Sequence, residues 1–369
     1  MLKITKLKLS QFRNIDKMEL QPCDTVNIIY GDNAQGKTNI LEAIWLLTGA
    51  KSFRMAKDLD YIQFEKSNAI IEAEFFGSGR EQTTKLNYGN KKKVLLNEIS
   101  LESSAKLAGS FNAVVFSPVH LSLIKEGPVL RRRFIDSAIC QLMPKYITYL
   151  SEYNRILTQR NALLKDVSRH SALLDTLDIW DYNLAKAGGH ILPARLRFVS
   201  LLAEKSKEIY YGISDNQEEL NITYLSSGHI LNYPQQPSEL REYLFDMLTK
   251  TRATDIAVGV TTTGIHRDDI EISVNGTSLR SYGSQGQQRS SVLALKLAEC
   301  GILYESIGEH PVILLDDVMS ELDEKRRDYL LNNIQGKQVF ITCCDTGCFS
   351  AMKQGKTFNI KSGEIITEE

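Results

Sequence analysis

One eight-residue run has the residue types and spacing of a phosphate-binding loop. Gly31, Gly36, Lys37 and Thr38 occupy the fixed positions of the pattern G-x-x-x-x-G-K-[ST], between an apolar segment and a helical pattern. The glycines let backbone N–H groups surround phosphates, and the helix N-terminus adds positive potential. The lysine would neutralise the β- and γ-phosphates of ATP, and the threonine hydroxyl would bind Mg²⁺. We therefore predict nucleotide contacts from Gly31, Asp32, Asn33, Ala34, Gln35, Gly36, Lys37, Thr38 and Asn39.

Two acids follow an apolar run and supply the carboxylates that such a loop needs. Residues 312–315 are Val-Ile-Leu-Leu, and Asp316 and Asp317 come next. Asp316 would act on Mg²⁺ through its water shell, and Asp317 would orient or deprotonate an attacking water. The predicted catalytic residues are therefore Lys37, Asp316 and Asp317. The alternative is that the two acids only cap the next helix.

A third motif, Ser284-Gln-Gly286-Gln287, opens a predicted helix ahead of the acids. A Ser-x-Gly-Gln element at a helix N-terminus is a second anion site. The order of the three motifs resembles the ABC class of ATPases, in which this element binds the γ-phosphate held by a second copy. Residues 320–323 resemble the dimer-contact loop of that class. The alternative is an ordinary helix start that contains glycine.

The hydrophobic pattern predicts strands on either side of a helical middle. Strands are predicted at residues 26–30, 69–76, 84–88, 93–96, 113–116, 270–274, 312–315 and 339–342, and helices over 40–47 and 287–301. The alternation of apolar residues slips by one position between Ile4 and Leu7, which indicates a bulge. Long helices are predicted over 130–211, with breaks near Gly188-Gly189 and Pro193.

The phosphate loop and the acids lie near opposite ends of the 369-residue chain. We therefore predict an α/β fold: an ABC-type P-loop ATPase head assembled from both chain ends, residues 1–128 and 256–369. A mainly helical insert of residues 129–255 would project from this head.

The overall charge excludes a protein that coats nucleic acid by bulk charge, because 44 Lys and Arg residues face 45 Asp and Glu residues. Local patches remain open, and the arginines at 131–133 and the lysines at 91–93 are the candidates. The alternatives are solvated lysines on an exposed hairpin, and an in-helix ion pair of Arg132 or Arg133 with Asp136.

Further observations bear on the cellular compartment and on the roles of single residues. No apolar run reaches the length of a membrane span, and six cysteines fit a reducing compartment, so we predict a cytoplasmic protein without a membrane partner. Cys343, Cys344 and Cys348 are interpreted as thiols rather than metal ligands. Arg54 either approaches the nucleotide base or ribose or forms a surface salt bridge. His266 is interpreted as a hydrogen-bonding residue, with a catalytic role as the alternative.

Several segments together resemble the RecF family of bacterial recombination-mediator ATPases. They are residues 7–14, 31–44, 51–54, 116–118, 131–136, 264–269, 284–290 and 314–317. Two positions depart from the family pattern. Ile265 stands where the family usually has proline, and residues 341–344 are poorer in threonine. The second departure leaves open which residue senses the γ-phosphate, with Thr342 as the candidate.

The resemblance implies an ATP-dependent homodimer that sandwiches two ATP molecules with Mg²⁺ and holds duplex DNA near single-strand gaps. Each phosphate loop would face Ser284, Gly286 and Gln287 of the other copy. A weak, DNA-dependent ATPase would open this clamp slowly. The implied partners are double-stranded and gapped DNA, RecR with RecO, and indirectly RecA, in the nucleoid of the cytoplasm.

Three other classes of protein are the alternatives. A transporter motor usually holds its phosphate loop and acids within one compact domain, which this spacing disfavours. A structural-maintenance protein needs coiled-coil arms, and the insert has no sustained heptad repeat. A nucleotide-gated scaffold without turnover stays open if Asp317 only shapes the site.

Overall fold

The computed structural model describes residues 1–167, 170–227, 237–344 and 355–368. Its strands are β1 (Lys3–Phe12), β2 (Ile15–Leu20), β3 (Val26–Tyr30), β4 (Ala69–Gly77), β5 (Arg80–Tyr88), β6 (Lys93–Leu96), β7 (Ile99–Leu101), β8 (Ala113–Phe116), β9 (Leu220–Leu225), β10 (Asp269–Val274), β11 (Thr277–Ser278), β12 (Val312–Asp316), β13 (Val339–Cys343), β14 (Lys356–Lys361) and β15 (Glu364–Glu368). Its helices are α1 (Lys37–Leu46), α2 (Ser122–Lys125), α3 (Pro128–Leu142), α4 (Pro144–Asp166), α5 (Leu177–Ile213), α6 (Pro237–Val258), α7 (Leu279–Tyr282), α8 (Gln285–Ile307) and α9 (Glu324–Asn333).

The chain forms two compact units. The first unit comprises Met1–Ile124, Lys205–Glu219 and Ser284–Glu369, and the second comprises Lys125–Glu204 and Leu220–Gly283. The sequence-based division differs from these units at three places. Residues 205–219 belong to the first unit, whereas 125–128 and 256–283 belong to the second, where β10 pairs with β9.

A mainly parallel sheet forms the base of the first unit, in the order β15-β14-β3-β13-β12-β8. The strand before the phosphate loop, β3, lies between β14 and β13 from the other chain end. Every residue of β8, β12 and β13 is buried, which explains their continuous apolar runs. The α/β head built from both chain ends is therefore confirmed.

A second, antiparallel sheet in this unit has the order β2-β1-β4-β5-β6-β7. Its β1–β4 register shifts between Ile4 and Lys6, which confirms the predicted bulge. The buried faces of both sheets enclose α1, and Phe12, Phe75 and Ile44 belong to the same apolar core. This core fixes the start of α1 relative to the ends of the parallel strands.

The second unit combines α3, α4, α6 and most of α5 with the antiparallel sheet β11-β10-β9. Its interior holds a charged network centred on Arg160, whose side chain is fully buried. Arg160 donates to Asp181 at 2.6 Å and to Asp255 and Thr261 at 2.8 Å each. These hydrogen bonds to two carboxylates and a hydroxyl offset part of the cost of burying the Arg160 guanidinium.

The predicted breaks at Gly188, Gly189 and Pro193 are wrong, because α5 is one helix of 37 residues. An interior proline costs about 3 kcal/mol, but one buried leucine or isoleucine contributes about 1.5–3 kcal/mol. Several buried apolar side chains flank Pro193, including Ile191 and Leu192. A Cβ on Gly188 would lie 3.0 Å from the side chain of Leu244, so glycine permits the close approach of α6. Packing therefore outweighs local propensity.

No helix in the described part of the chain is long and apolar enough to cross a membrane.

Candidate nucleotide-binding site

The phosphate loop, residues 31–38, connects β3 to α1 as predicted. Gly31 and Gly36 have φ angles of 146° and 109°, which favour glycine. A Cβ on Gly31 would lie 2.3 Å from the carbonyl oxygen of Ile360 in β14. No side chain caps α1, and its first turn contains no acid. The N-terminal N–H groups of α1 are therefore suited to an anionic ligand.

The turn between β14 and β15 supports the loop from the C-terminal end of the chain. The N–H of Gly363 donates to the Gln35 carbonyl at 3.0 Å, and the N–H of Ser362 donates to Gln35 Oε1 at 2.5 Å. Asn14, after β1, donates to the Ala34 carbonyl at 3.3 Å. The loop is thus held by two distant segments that the motif alone does not reveal.

Lys37 is almost fully buried and lies over its own loop. Its Nζ donates to the carbonyls of Gly31 at 2.6 Å and Asp32 at 2.8 Å. Cys344, after β13, donates through Sγ to Asn33 Oδ1 at 3.1 Å. The ammonium group is therefore positioned before any phosphate binds.

Asp316 and Thr38 are in direct contact although they lie 278 residues apart in sequence. Thr38 Oγ1 donates to Asp316 Oδ1 at 2.7 Å, and Thr342 Oγ1 donates to the same oxygen at 3.1 Å. Ser117 Oγ lies 3.4 Å from Asp316 Oδ2. Burial raises the pKa of Asp316, and these three hydroxyl groups oppose the shift. The structure therefore brings together both residues predicted to hold Mg²⁺.

Ser117 was not among the predicted site residues, although its position after a strand of the sheet is a signal. Ser117 follows β8, and Asp316 ends the neighbouring parallel strand β12. Ser117 and Asp316 therefore lie at the same carboxyl edge of the sheet. Ligands of open α/β sheets bind at that edge.

Asp317 is exposed and has a φ angle of 53°. Its N–H donates to Thr342 Oγ1 at 2.9 Å. Within the described residues, no hydrogen bond or ion pair engages its carboxylate. Thr342 thus contacts both acids, a geometry compatible with the predicted sensor role, which remains a prediction.

Arg54 lies beside the first turns of α1. Its Nη1 donates to Asn39 Oδ1 at 2.8 Å and lies 3.7 Å from Glu42 Oε2. Glu42 is fully buried and also accepts two hydrogen bonds from Arg13, both at 2.9 Å. The salt-bridge alternative for Arg54 is therefore present, and contact with the nucleotide base or ribose stays a prediction.

Ser284 and Gln287 form a capping box at the start of α8. Ser284 Oγ accepts from the Gln287 N–H at 3.2 Å, and Gln287 Oε1 accepts from the Ser284 N–H at 3.0 Å. A Cβ on Gly286 would lie 3.2 Å from Arg326 Nη2. The helix start is confirmed, and the anion-binding role of the motif stays a prediction.

The arginine patch at 131–133 fails as a phosphate-binding surface at its first position. Arg131 is 3% exposed and makes a bidentate ion pair with Asp269, at 2.7 and 2.8 Å. Arg132 donates to the Asp268 carbonyl at 2.6 Å. The carboxylate of Asp136 pairs with Arg195 in a bidentate contact, both distances being 2.8 Å.

The lysine patch at 91–93 remains on the surface. Lys92 pairs with Asp58 at 2.9 Å and lies over the ring of Tyr88. Lys91 and Lys93 are exposed. A role for this patch in DNA binding stays a prediction.

The two remaining candidates from the sequence are His266 and the cysteine cluster at 343, 344 and 348. His266 Nε2 donates to the Thr261 carbonyl at 3.1 Å, so Nδ1 accepts from the Tyr153 hydroxyl at 2.9 Å. Cys343 is buried, and Cys348 lies outside the described residues. Among the described residues, no group of three His, Cys, Asp or Glu side chains could hold a metal ion.

The comparisons with known proteins agree with one another. The family model of the RecF/RecN/SMC N-terminal domain matches residues 3–366. Proteins named DNA replication and repair protein RecF are similar over nearly the full length. One from Acetivibrio thermocellus is 42% identical over 97% of both chains, and one from Agathobacter rectalis is 40% identical over 98% of both.

Solved structures show the same relationship. A structure of the recombination mediator protein RecF with ATP, in the RecFOR pathway, superposes with a TM-score of 0.92 at 36% identity and covers 100% of this chain and 98% of its own. An Smc head domain from Pyrococcus furiosus has a TM-score of 0.56 at 17% identity and shows the fold alone. The chain therefore belongs to the RecF family.

Proposed function

We propose that the chain is a recombination-mediator ATPase that binds ATP with Mg²⁺ and acts on DNA. The observation that carries the proposal is the contact between Thr38 and Asp316 beside an uncapped helix N-terminus. It joins a hydroxyl and a carboxylate, the oxygen donors that Mg²⁺ prefers. The RecF–ATP structure and the names of the relatives support the same assignment.

The residues present fit this ligand. The backbone of residues 31–38 would bind the phosphates, Lys37 would neutralise them, and Arg54 and Asn39 border the same helix start. Thr38 would bind Mg²⁺ directly and Asp316 through water. Mg²⁺ commonly uses one or two carboxylates together with phosphates and water, so no dedicated carboxylate cage is needed. The ion would supply compensation for phosphate charge.

The finer proposal is a clamp. Two copies would sandwich two ATP molecules, with Ser284, Gly286 and Gln287 of each copy at the phosphates of the other. The closed dimer would hold duplex DNA near single-strand gaps and, with RecR and RecO, help RecA to load. Weak, DNA-dependent hydrolysis would reopen it. The resemblance of the three motifs to ABC ATPases supports this arrangement.

The test is steady-state ATP hydrolysis with and without duplex DNA, with Lys37→Ala as the blank. We expect turnover that DNA stimulates, and no ATP binding by Lys37→Ala, because the site loses its phosphate counter-charge. Unchanged ATP affinity in that variant would contradict the site. Turnover that ignores DNA would contradict the clamp and leave the ATPase.

A second variant separates an ATPase from a nucleotide-gated scaffold. Asp317→Asn keeps the side-chain volume and removes the charge that would orient the attacking water. We expect turnover to be lost and ATP binding to persist. Equal turnover in Asp317→Asn and the natural chain would remove Asp317 from the mechanism.

A further inference from the structure

The carboxylate of Glu218 holds the side chain of Gln287 at the start of α8. Glu218 Oε1 accepts from Gln287 Nε2 at 2.7 Å, and Glu218 Oε2 accepts from the Tyr210 hydroxyl at 2.7 Å. All three residues belong to the first unit. Each carboxylate oxygen is therefore engaged, one by α8 and the other by the last turn of α5.

Glu218 itself is fixed by the end of α5. Its N–H donates to Ser214 Oγ at 3.2 Å, and Tyr210, which anchors its carboxylate, is fully buried. The segment from α5 to Glu218 therefore presents the carboxylate in one orientation.

This carboxylate decides which way the amide of Gln287 points. A carboxylate can only accept, so the NH₂ group of Gln287 faces Glu218 and its Oε1 faces the N–H of Ser284. Charge-assisted hydrogen bonds of this kind are stronger than neutral ones. The capping box thus has a defined orientation before any ligand arrives.

The capping box in turn orients the hydroxyl group of Ser284. Ser284 Oγ accepts from the Gln287 N–H, which leaves the hydroxyl proton free to point away from the helix. Ser284 is exposed. A hydroxyl donor at a helix N-terminus is a suitable partner for a phosphate oxygen.

We propose that Glu218 is a positioning residue: it fixes the amide of Gln287 and thereby orients Ser284 toward the γ-phosphate of ATP held by a second copy of the chain. This inference rests on the ATP-dependent dimer proposed above. Glu218 does not contact the nucleotide in this arrangement and acts only through Gln287.

The experiment measures ATP-induced dimerisation of the full chain by light scattering, and ATP binding to the monomer by titration with fluorescent ATP. In Glu218→Ala we expect dimerisation to weaken about tenfold, which corresponds to about 1.4 kcal/mol. Monomer binding should not change, because the phosphate loop keeps all its contacts. That split distinguishes positioning from general damage to the fold.

Two matched variants sharpen the result. Glu218→Gln keeps an oxygen to accept from Gln287, and its amide can donate to the Tyr210 oxygen, so we expect recovery to within about twofold of the natural chain. Glu219→Ala removes the neighbouring carboxylate, which pairs with Lys207 at 2.7 Å on the surface. We expect no loss of dimerisation from it.

A double-mutant cycle tests whether Glu218 acts through Gln287. In a Gln287→Ala background, Glu218→Ala should cause no further loss of dimerisation. If the double variant instead lost dimerisation by the product of the two single-variant losses, the proposal would be overturned. Equal losses of dimerisation in Glu218→Ala and Glu219→Ala would also overturn it. If Glu218→Ala does not fold, Tyr210→Phe serves instead. It removes one anchor of the carboxylate, with an expected loss of about threefold, and no loss there would overturn the role.

The measurement on the natural chain distinguishes a failure of the role of Glu218 from a failure of the proposed ATP-dependent dimer. A natural chain that binds ATP and stays monomeric would overturn the dimer and, with it, the role of Glu218. A natural chain that dimerises, with a Glu218→Ala variant that dimerises equally well, would overturn the role of Glu218 alone.

Discussion

The hydroxyl group of Thr342 connects the two acids of the site. It donates to Asp316 Oδ1 at 3.1 Å and accepts from the Asp317 N–H at 2.9 Å. The position of Asp317 depends on this contact, because its backbone lies in a sparsely populated region with a φ angle of 53°. Thr342 therefore sets where the exposed carboxylate can reach.

We expect Thr342→Val to lower the single-turnover rate of ATP hydrolysis about tenfold while ATP affinity stays within about twofold. Valine keeps the shape of threonine but leaves the Asp317 N–H without its acceptor, and loss of such a buried hydrogen bond costs about 1–3 kcal/mol. The measurement is single-turnover hydrolysis beside equilibrium ATP binding. Thr342→Ser keeps the hydroxyl and is the control. Equal rates in the two variants would show that the hydroxyl does not matter.

His266 gives the second unit a pH dependence with a defined sign. Burial lowers the pKa of its imidazole to about 4, and the neighbouring guanidinium of Arg267 acts in the same direction. The unfolded chain binds this proton near pH 6.5, whereas the folded chain binds it near pH 4. Stability from this group is therefore complete above pH 6.5 and falls as the pH drops toward 4.

We expect His266→Gln to reduce this acid sensitivity. Its amide can donate to the Thr261 carbonyl and accept from Tyr153, so both hydrogen bonds persist without a titrating group. The loss of unfolding free energy between pH 6.5 and 4 should shrink by about 3 kcal/mol. Urea unfolding followed by circular dichroism at several pH values measures it. Exposed His190, changed to Gln, is the control, and an equal effect there would contradict the assignment.

At the scale of elements, the features set by local sequence pattern could be predicted, whereas those set by packing between distant segments could not. The strands at 26–30, 93–96 and 113–116 followed from alternation or continuous apolar runs, and their bounds agree with β3, β6 and β8. The phosphate loop followed from spacing that only a few backbone geometries permit. The course of α5 did not follow, because the residues of α6 that pack on Gly188 lie far away in sequence.

Partners that lie far away in sequence also explain why the contacts of several charged residues could not be predicted. Arg131 looked like a surface cation because its partner, Asp269, lies 138 residues further along. The contact of Glu218 with Gln287 spans 69 residues and likewise has no local signal. By contrast, the pairing of Thr38 with Asp316 could be predicted, because the chemistry of a phosphate loop requires a carboxylate from elsewhere.

The β14–β15 turn allows an element-scale prediction about ATP binding. A Cβ on Gly363 would lie 2.6 Å from the Asn14 carbonyl oxygen, and Gly363 donates to Gln35 in the phosphate loop. We expect Gly363→Ala to weaken ATP binding about tenfold, because the turn must shift and release the loop.

Gly79 supplies the matched control for this change. Its φ angle of 74° resembles the 80° of Gly363, but a Cβ there would meet no atom within 4 Å. Gly79→Ala therefore carries the same backbone strain without the collision. Titration with fluorescent ATP compares the two variants, and equal affinities would show that the turn does not support the loop.

At the scale of the whole molecule, the nucleotide site depends on both chain ends. β3 pairs with β13 and β14, and β12 pairs with β13 and β8, so neither end completes the parallel sheet alone. The fold brings residues 31–38 and 316–317 to the same edge of the parallel sheet. The remaining motif, at Ser284, makes its side-chain hydrogen bonds within its own helix start and with Glu218, and the proposed dimer gives its exposed hydroxyl a partner.

Ser284→Arg tests this dimer directly. Arginine would occupy the space that the second copy's γ-phosphate needs, and it removes a helix cap worth only about 1 kcal/mol, so the chain should still fold. We expect ATP-induced dimerisation and DNA-stimulated turnover to disappear while the monomer binds ATP with unchanged affinity. Ser103→Arg is the control, because Ser103 is also exposed and also precedes a short helix in the first unit. Light scattering with and without ATP compares the two, and equal dimer fractions in both variants would place the second copy somewhere other than Ser284.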